Sequence, residues 1–216
     1  GHPEYDPDHG IEATTGPLGQ GVAQAFGFAL ASNQYAKENG VGIPKTVVLA
    51  GDGCILEGVN HETCSLVGHL KLKNCLLVYD ANSITLDGEL IETCSDDVEM
   101  RFRSYGWDVF NLNGHDFHEM HQCFKQLQSI ERPTLIILNT IIGYGSKFAG
   151  TSRIHGAPLG TDYTDQLYDF LNVSKRPFDI PNKVYDFFRG CIIEEQHDSH
   201  VHDDELLSLD TNDDDS

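Results

Sequence analysis

The chain has 216 residues, 39% of them hydrophobic, enough for one sizeable packed domain with a connecting segment. Its 34 Asp and Glu outweigh 14 Lys and Arg, and the formal charge of −20 argues against nucleic acid or an anionic membrane surface as a partner. No apolar stretch approaches the ~18–20 residues that cross a bilayer and no signal peptide opens the chain, so a soluble, cytoplasmic protein is expected.

A Gly- and Pro-bearing loop opens the chain. Gly19 to about Asn39 then reads as a helix in which Ala23, Ala25, Ala29 and Ala31 allow close packing, and Asn39-Gly40 ends it. Strand Thr46–Ala50 follows, then a helix from about Glu57 to Leu70 and strand Cys75–Tyr79. A short helix is expected over Asp96–Tyr105 with Ser95 as its cap, then strand Trp107–Leu112. A helix from about Phe117 to Ile130 is stopped by Pro133, and Thr134–Thr140 is another strand. Beyond Gly160 the pattern predicts a helix over Thr161–Leu171, an extended linker from Arg176-Pro177 to Pro181, and a last helix over Asn182–Gly190. From Cys191 onward there is no Lys or Arg, while ten acidic residues crowd the end, the composition of a solvated, disordered tail. The expected organisation is thus a domain over 1–160, a helical and extended linker region over 161–190, and an acidic tail over 191–216.

The six cysteines, Cys54, Cys64, Cys75, Cys94, Cys123 and Cys191, form no Cys-x-x-Cys pair, so reduced, inert thiols are expected. His197, His200 and His202 sit among carboxylates with nothing rigid around them, and His115, His118 and His121 read as surface or turn residues at the start of a helix.

Strands alternating with helices predict an α/β fold with a mostly parallel sheet and helices on both faces, its binding groups at the C-terminal edge of the sheet. Gly51-Asp52-Gly53 follows the first strand, and Asn82 lies thirty positions later, just past the second. An Asp and an Asn that each leave the C-terminal end of a strand can meet at one point in a parallel sheet, where a carboxylate and an amide oxygen suit a Mg2+ ion carrying a diphosphate. A lone Gly-Asp-Gly is also a common turn.

Several ordered blocks together resemble the transketolase family of thiamine diphosphate enzymes. They are Gly1-His2-Pro3-Glu4-Tyr5, Thr14-Thr15-Gly16-Pro17-Leu18-Gly19-Gln20-Gly21, Gly51-Asp52-Gly53-Cys54 through Glu57-Gly58, Leu70-Lys71-Leu72, Tyr79-Asp80-Ala81-Asn82, Leu86-Asp87-Gly88, and Ile142-Gly143-Tyr144-Gly145-Ser146 leading to His155-Gly156-Ala157-Pro158-Leu159-Gly160. The blocks run almost continuously from residue 1 to about 160, and dihydroxyacetone synthase is a close relative that they do not separate. The resemblance covers only part of such an enzyme. It implies an incomplete thiamine diphosphate-binding fold whose pyrimidine-binding domain lies on a partner chain or elsewhere in a longer protein.

By resemblance, Asp52, Asn82 and the backbone carbonyl of Ile84 hold Mg2+ or another divalent cation. Gly53 lets the backbone approach the diphosphate. Gly16, Pro17 and Leu18 match a loop against the aminopyrimidine, although a tight turn entering the helix explains them too. Leu86 matches an aliphatic prop for the cofactor, or it is core. His155 matches a residue that contacts cofactor and sugar and acts in catalysis, and His2 a ligand of a substrate hydroxyl. Glu57 and Glu62 match glutamates linking the two sites of a dimer, or they favour a helix dipole. Ser152 stands where the family often has a histidine, and Ala81 where an acidic residue is frequent.

The resemblance implies transfer of a two-carbon ketol unit from a ketose phosphate to an aldose phosphate, with thiamine diphosphate and Mg2+, in a homodimer. The alternative is a shortened, non-catalytic relative acting as a cofactor-binding or assembly module.

Overall fold

The structure is a computed structural model that describes residues 2–194, with the side chains of residue 128 and residues 191–194 left aside. Most of the predicted acidic tail, with His197, His200 and His202, lies outside the described residues. Two compact units divide the chain, Gly1–Leu167 and Tyr168 onward.

In the first unit the order is α1 (Gln20–Asn39), β1 (Thr46–Gly51), α2 (Asp52–Leu56), α3 (Gly58–Leu70), β2 (Cys75–Ala81), α4 (Val98–Ser104), β3 (Asp108–Asn113), α5 (Phe117–Gln126) and β4 (Thr134–Asn139), and α6 (Thr161–Leu171) begins there. The four strands form one parallel sheet in the order β1-β2-β4-β3. β2 and β4 are central, and their near-continuous apolar runs are buried on both faces, as parallel sheets require.

One face carries the larger core. Val22, Phe26 and Ala29 of α1 recur at helical spacing and pack with Cys64 and Val67 of α3, Phe102 of α4 and the inward residues Val48, Leu77, Val109 and Leu135. The only tryptophan, Trp107, is buried there, edge-on to Phe102, and its Nε1 donates to the Cys64 carbonyl at 2.9 Å. Buried amides tie α1 to the turn before β2: Asn33 donates to the Asn74 side chain, and Asn74 donates to the carbonyls of Ala29 and Pro44. The other face is covered by Cys123 of α5 and Leu127 just past its end, against Leu76, Val78 and Ile136. Beyond α5 the outer residues of β1 are uncovered, with Val47 60% and Leu49 74% exposed.

Several boundaries differ from the sequence expectation for local reasons. The Glu57–Leu70 segment begins at Gly58, because a separate turn of helix, α2, follows β1 directly and the chain straightens at Glu57 (φ −63°, ψ 137°). Asp97, not Ser95, caps α4, accepting from the Met100 amide at 2.8 Å. α5 stops at Gln126 and tightens into a 3-10 turn over Leu127–Ser129. Of the four alanines picked out in α1, only Ala29 is fully buried, and Ala31 is exposed.

In the second unit, the Arg176–Asp179 pair at 2.9 Å and a Ser174 bond to the same carboxylate close a turn where an extended linker was expected. α7 (Asn182–Glu194) follows and runs into the first residues of the predicted tail. Among the described residues, no helix is long and apolar enough to cross a membrane.

Burial pushes the thiols of Cys64 and Cys75 up to about 12, and that of Cys123 to about 11. Alkylation of the native protein with iodoacetamide near pH ~8 is therefore expected to spare all three, as peptide mapping would show, since the thiolate is the reacting form. Phe102, fully buried, is expected to cost about 3–5 kcal/mol when changed to Ala, measured by urea unfolding followed by circular dichroism.

Candidate functional site

The parallel register sets Gly51 of β1 beside Asp80 of β2, so the residues that follow each strand emerge side by side at the C-terminal edge of the sheet. Asp52 opens α2 and is only 3% exposed. Its Oδ1 accepts from the Tyr79 hydroxyl at 2.5 Å and its Oδ2 from the Ser83 amide at 3.1 Å. Ser83 reaches that position through a left-handed backbone (φ 62°), which turns the chain just past β2 back toward β1. Burial raises the Asp52 carboxyl above the usual range. The bonds from Tyr79 and from the backbone at Asn82 and Ser83 oppose that effect, and the Asp80 charge adds to it.

Asn82 follows β2, and its Oδ1 accepts from the Ile84 amide at 3.0 Å, an Asx turn that points the amide side chain along its own backbone. Ile84 pairs with Glu89 across a narrow loop held by the Thr85 amide on the Gly88 carbonyl at 2.8 Å. Ile84 is therefore buried while its neighbours reach the surface.

A cleft of about 520 Å³ opens at this edge. Leu18, Asp52, Gly53, Glu57, Asn82, Ile84, Leu86 and His155, eight of the residues singled out in the sequence, all line it. Leu86 is 67% exposed in the cleft wall, which removes its reading as a core residue. A Cβ added to Gly53 would come within 3.1 Å of the Leu18 side chain. The Nδ1 of His155 is buried with no hydrogen-bond partner among the described residues.

Gly16, Pro17, His2 and Glu62 do not line the cleft. Pro17 forms the turn into α1, accepting from the Gln20 amide at 3.4 Å. The His2 ring lies against Gly16, so closely that a Cβ there would fall 2.3 Å from its Nε2. Glu62 is exposed on α3. Glu57 is the N-cap of α3, where its charge favours the helix dipole, whereas Glu62 lies beyond the first turn, which carries no acidic residue. His115 sits in the turn after β3, stacked on Tyr144 with ring centroids 4.1 Å apart and accepting from the Ile141 amide, while His118 is exposed and His121 half-buried.

Sequence reasoning missed Tyr79 and Ser83. The signal for Tyr79 was a phenol at an inward position of an otherwise aliphatic strand, in register with Ala50. Ser83 left no such signal. Thr85, Asp87 and Thr93 also line the cleft.

Among the described residues, no group of three or more His, Cys, Asp or Glu side chains is placed to hold a metal ion. Asp52, Asn82 and Ile84 of the cleft lining carry hard oxygens, a carboxylate, an amide and a backbone carbonyl, of the kind that could hold a small divalent cation sharing its sphere with phosphate.

Residues 1–212 match the family profile for transketolase, thiamine diphosphate binding domain. A transketolase of Buchnera aphidicola is 42% identical over 94% of this chain and 32% of its own length. That of Kluyveromyces lactis is 40% identical over 96% and 32%. The crystal structure of transketolase from Campylobacter jejuni superposes with a TM-score of 0.77 at 36% identity, covering 82% of this chain and 29% of that one. Transketolase from Leishmania mexicana gives 0.82 at 31%, covering 93% and 31%. The chain thus spans about a third of the length of the curated relatives it matches. With strands, cleft and profile in agreement, the chain belongs to the transketolase family and matches its thiamine diphosphate-binding domain.

Proposed function

We propose that this chain forms the diphosphate-holding side of a transketolase site that uses thiamine diphosphate and Mg2+ to move a two-carbon ketol unit from a ketose phosphate to an aldose phosphate. The observation that carries this reading is the meeting of Asp52, Asn82 and Ile84 in one cleft with Gly53, Leu18, Leu86 and His155. Asp52 Oδ, Asn82 Oδ1 and the Ile84 carbonyl would hold the cation, and three protein oxygens leave positions of an octahedron for diphosphate oxygens. Bound there, thiamine diphosphate supplies the carbanion chemistry.

The chain's own residues bind and orient. Gly53 keeps the wall beside Asp52 free of a side chain, and Leu18 and Leu86 offer apolar surface that sheds water from the cleft. His155 lines the cleft and would contact cofactor and sugar there as a catalytic residue, and its buried Nδ1 has no hydrogen-bond partner among the described residues. Gly16 and Pro17 shape the entrance to α1 and the aminopyrimidine side. His2, folded over Gly16, would reach a substrate hydroxyl from outside the cleft. Glu57 at the cleft, with Glu62 on α3, would link to the second site of a homodimer. The remaining two thirds of the enzyme, with its pyrimidine-binding part, comes from the same longer protein or a partner chain. The proposed setting is the cytoplasm and the exchange of pentose phosphates.

Calorimetric titration of thiamine diphosphate is expected to show binding that EDTA removes. Asp52→Ala or Asn82→Ala should weaken it by more than about 100-fold, since loss of even an outer partner of a metal ligand costs ~10–100-fold. Unchanged affinity in both variants would overturn the cation assignment. Ketol transfer is expected when this chain is mixed with one supplying the pyrimidine-binding part, and little with this chain alone. No turnover in either mixture would favour the non-catalytic module.

A further inference from the structure

Tyr79 is 4% exposed and stands near the end of β2, in register with Ala50 of β1, with its hydroxyl directed onto Asp52 at 2.5 Å. On the Asp52 carboxylate, Tyr79 donates to Oδ1 and the Ser83 amide to Oδ2, and the backbone at Asn82 adds a further bond. An ionised carboxylate has about four acceptor positions, so these donors leave about one for a ligand. The donors are neutral, so they fix the carboxylate's plane without cancelling its charge, unlike an Arg or Lys partner. Asp52 lines the cleft with Asn82 and Ile84, so its uncancelled negative charge lies at the cleft.

Asp52 gains little rigidity from its own helix. α2 has five residues and no side-chain cap, too short to persist by itself. It is held from outside at both ends, by Tyr79 at Asp52 and by Arg101, which donates from Nη2 to the Ile55 carbonyl at 3.2 Å. Arg101 is itself fixed by Asp96 at 2.9 Å. The Tyr79 contact is the one that falls on the group facing the cleft.

We propose that Tyr79 is a positioning residue for the divalent cation: its buried hydroxyl locks the orientation of the Asp52 carboxylate so that one oxygen is presented to the metal without neutralising it. This rests on the reading of Asp52 as a ligand of Mg2+. Partners in this outer position commonly change metal affinity by roughly 10–100-fold when removed.

Tyr79→Phe keeps the ring and deletes the hydroxyl. The test is calorimetry of thiamine diphosphate binding across a Mg2+ series, with the thermal midpoint of each variant recorded alongside. Tyr79→Phe is expected to raise the Mg2+ concentration for half-maximal binding by roughly tenfold or more, while thiamine diphosphate affinity at saturating Mg2+ returns close to that of the unchanged chain. Leu77→Ala, which opens the same strand's core away from the cleft, is expected to lower the thermal midpoint without moving the Mg2+ requirement. If Asp52→Ala abolishes Mg2+-dependent binding and Tyr79→Phe leaves the Mg2+ requirement unchanged, the positioning role is wrong and the cation site stands. A Leu77→Ala shift as large as that of Tyr79→Phe would reduce Tyr79 to a structural contact. If Asp52→Ala binds like the unchanged chain, the cation reading itself fails.

Discussion

The in-register pairing of β2 with β1 on one side and β4 on the other is the constraint on which the rest of the molecule depends. It aligns the C-terminal ends of three strands within one sheet, so that Gly51 lies opposite Asp80 and Ala81 opposite Asn139. Neighbouring strands are about 4.8 Å apart, which brings residues thirty positions distant in sequence to the same edge. A slip of one residue would turn Leu77 and Tyr79 to the opposite face and take the phenol away from Asp52. The buried contacts of Leu77, Leu135 and Ile136 hold the register, and in this sense the apolar core places the polar site.

The site is costly to the fold. Asp52 is a buried carboxylate whose desolvation is only partly offset by a hydroxyl and backbone amides, with Asp80 nearby adding like charge. A structural carboxylate at such a depth is normally matched by a cationic side chain. Its hydrogen-bonding partners here are neutral, which is the arrangement expected where the balancing charge arrives with a ligand. Function and local instability are thus two aspects of one placement.

Much of this was legible in the sequence, because the signals were of the kind that sequence carries. The strands are dense apolar runs, and their alternation with helices pointed to a parallel sheet. Asp52, Asn82, Leu86 and His155 sit in motifs whose order implied a common edge, and the cleft contains all four. The misses have physical causes. Ser95 and Asp97 are both good caps, and only the backbone geometry chooses Asp97. The break between α2 and α3 depends on the extended backbone at Glu57, which no pattern in the glutamates announces. Tyr79 read as one more apolar strand residue, since an inward tyrosine gives the same period as an inward leucine. The left-handed turn at Ser83 is imposed by tertiary contacts and has no glycine or asparagine to mark it. The strand order, with β4 inserted between β2 and β3, likewise required the fold itself.

Trp107 gives the protein a built-in optical probe. It is the chain's one indole, it is shielded from water between Phe26 and Phe102, and its N–H is engaged with the Cys64 carbonyl. Its fluorescence therefore reports, from a single place, whether α1, α3, α4 and β3 remain packed together. It lies apart from the cleft lining. A ligand that fills the cleft and a substitution that loosens the core thus have different spectral consequences, and the emission of one residue distinguishes a protein that has lost its ligand from one that has lost its shape.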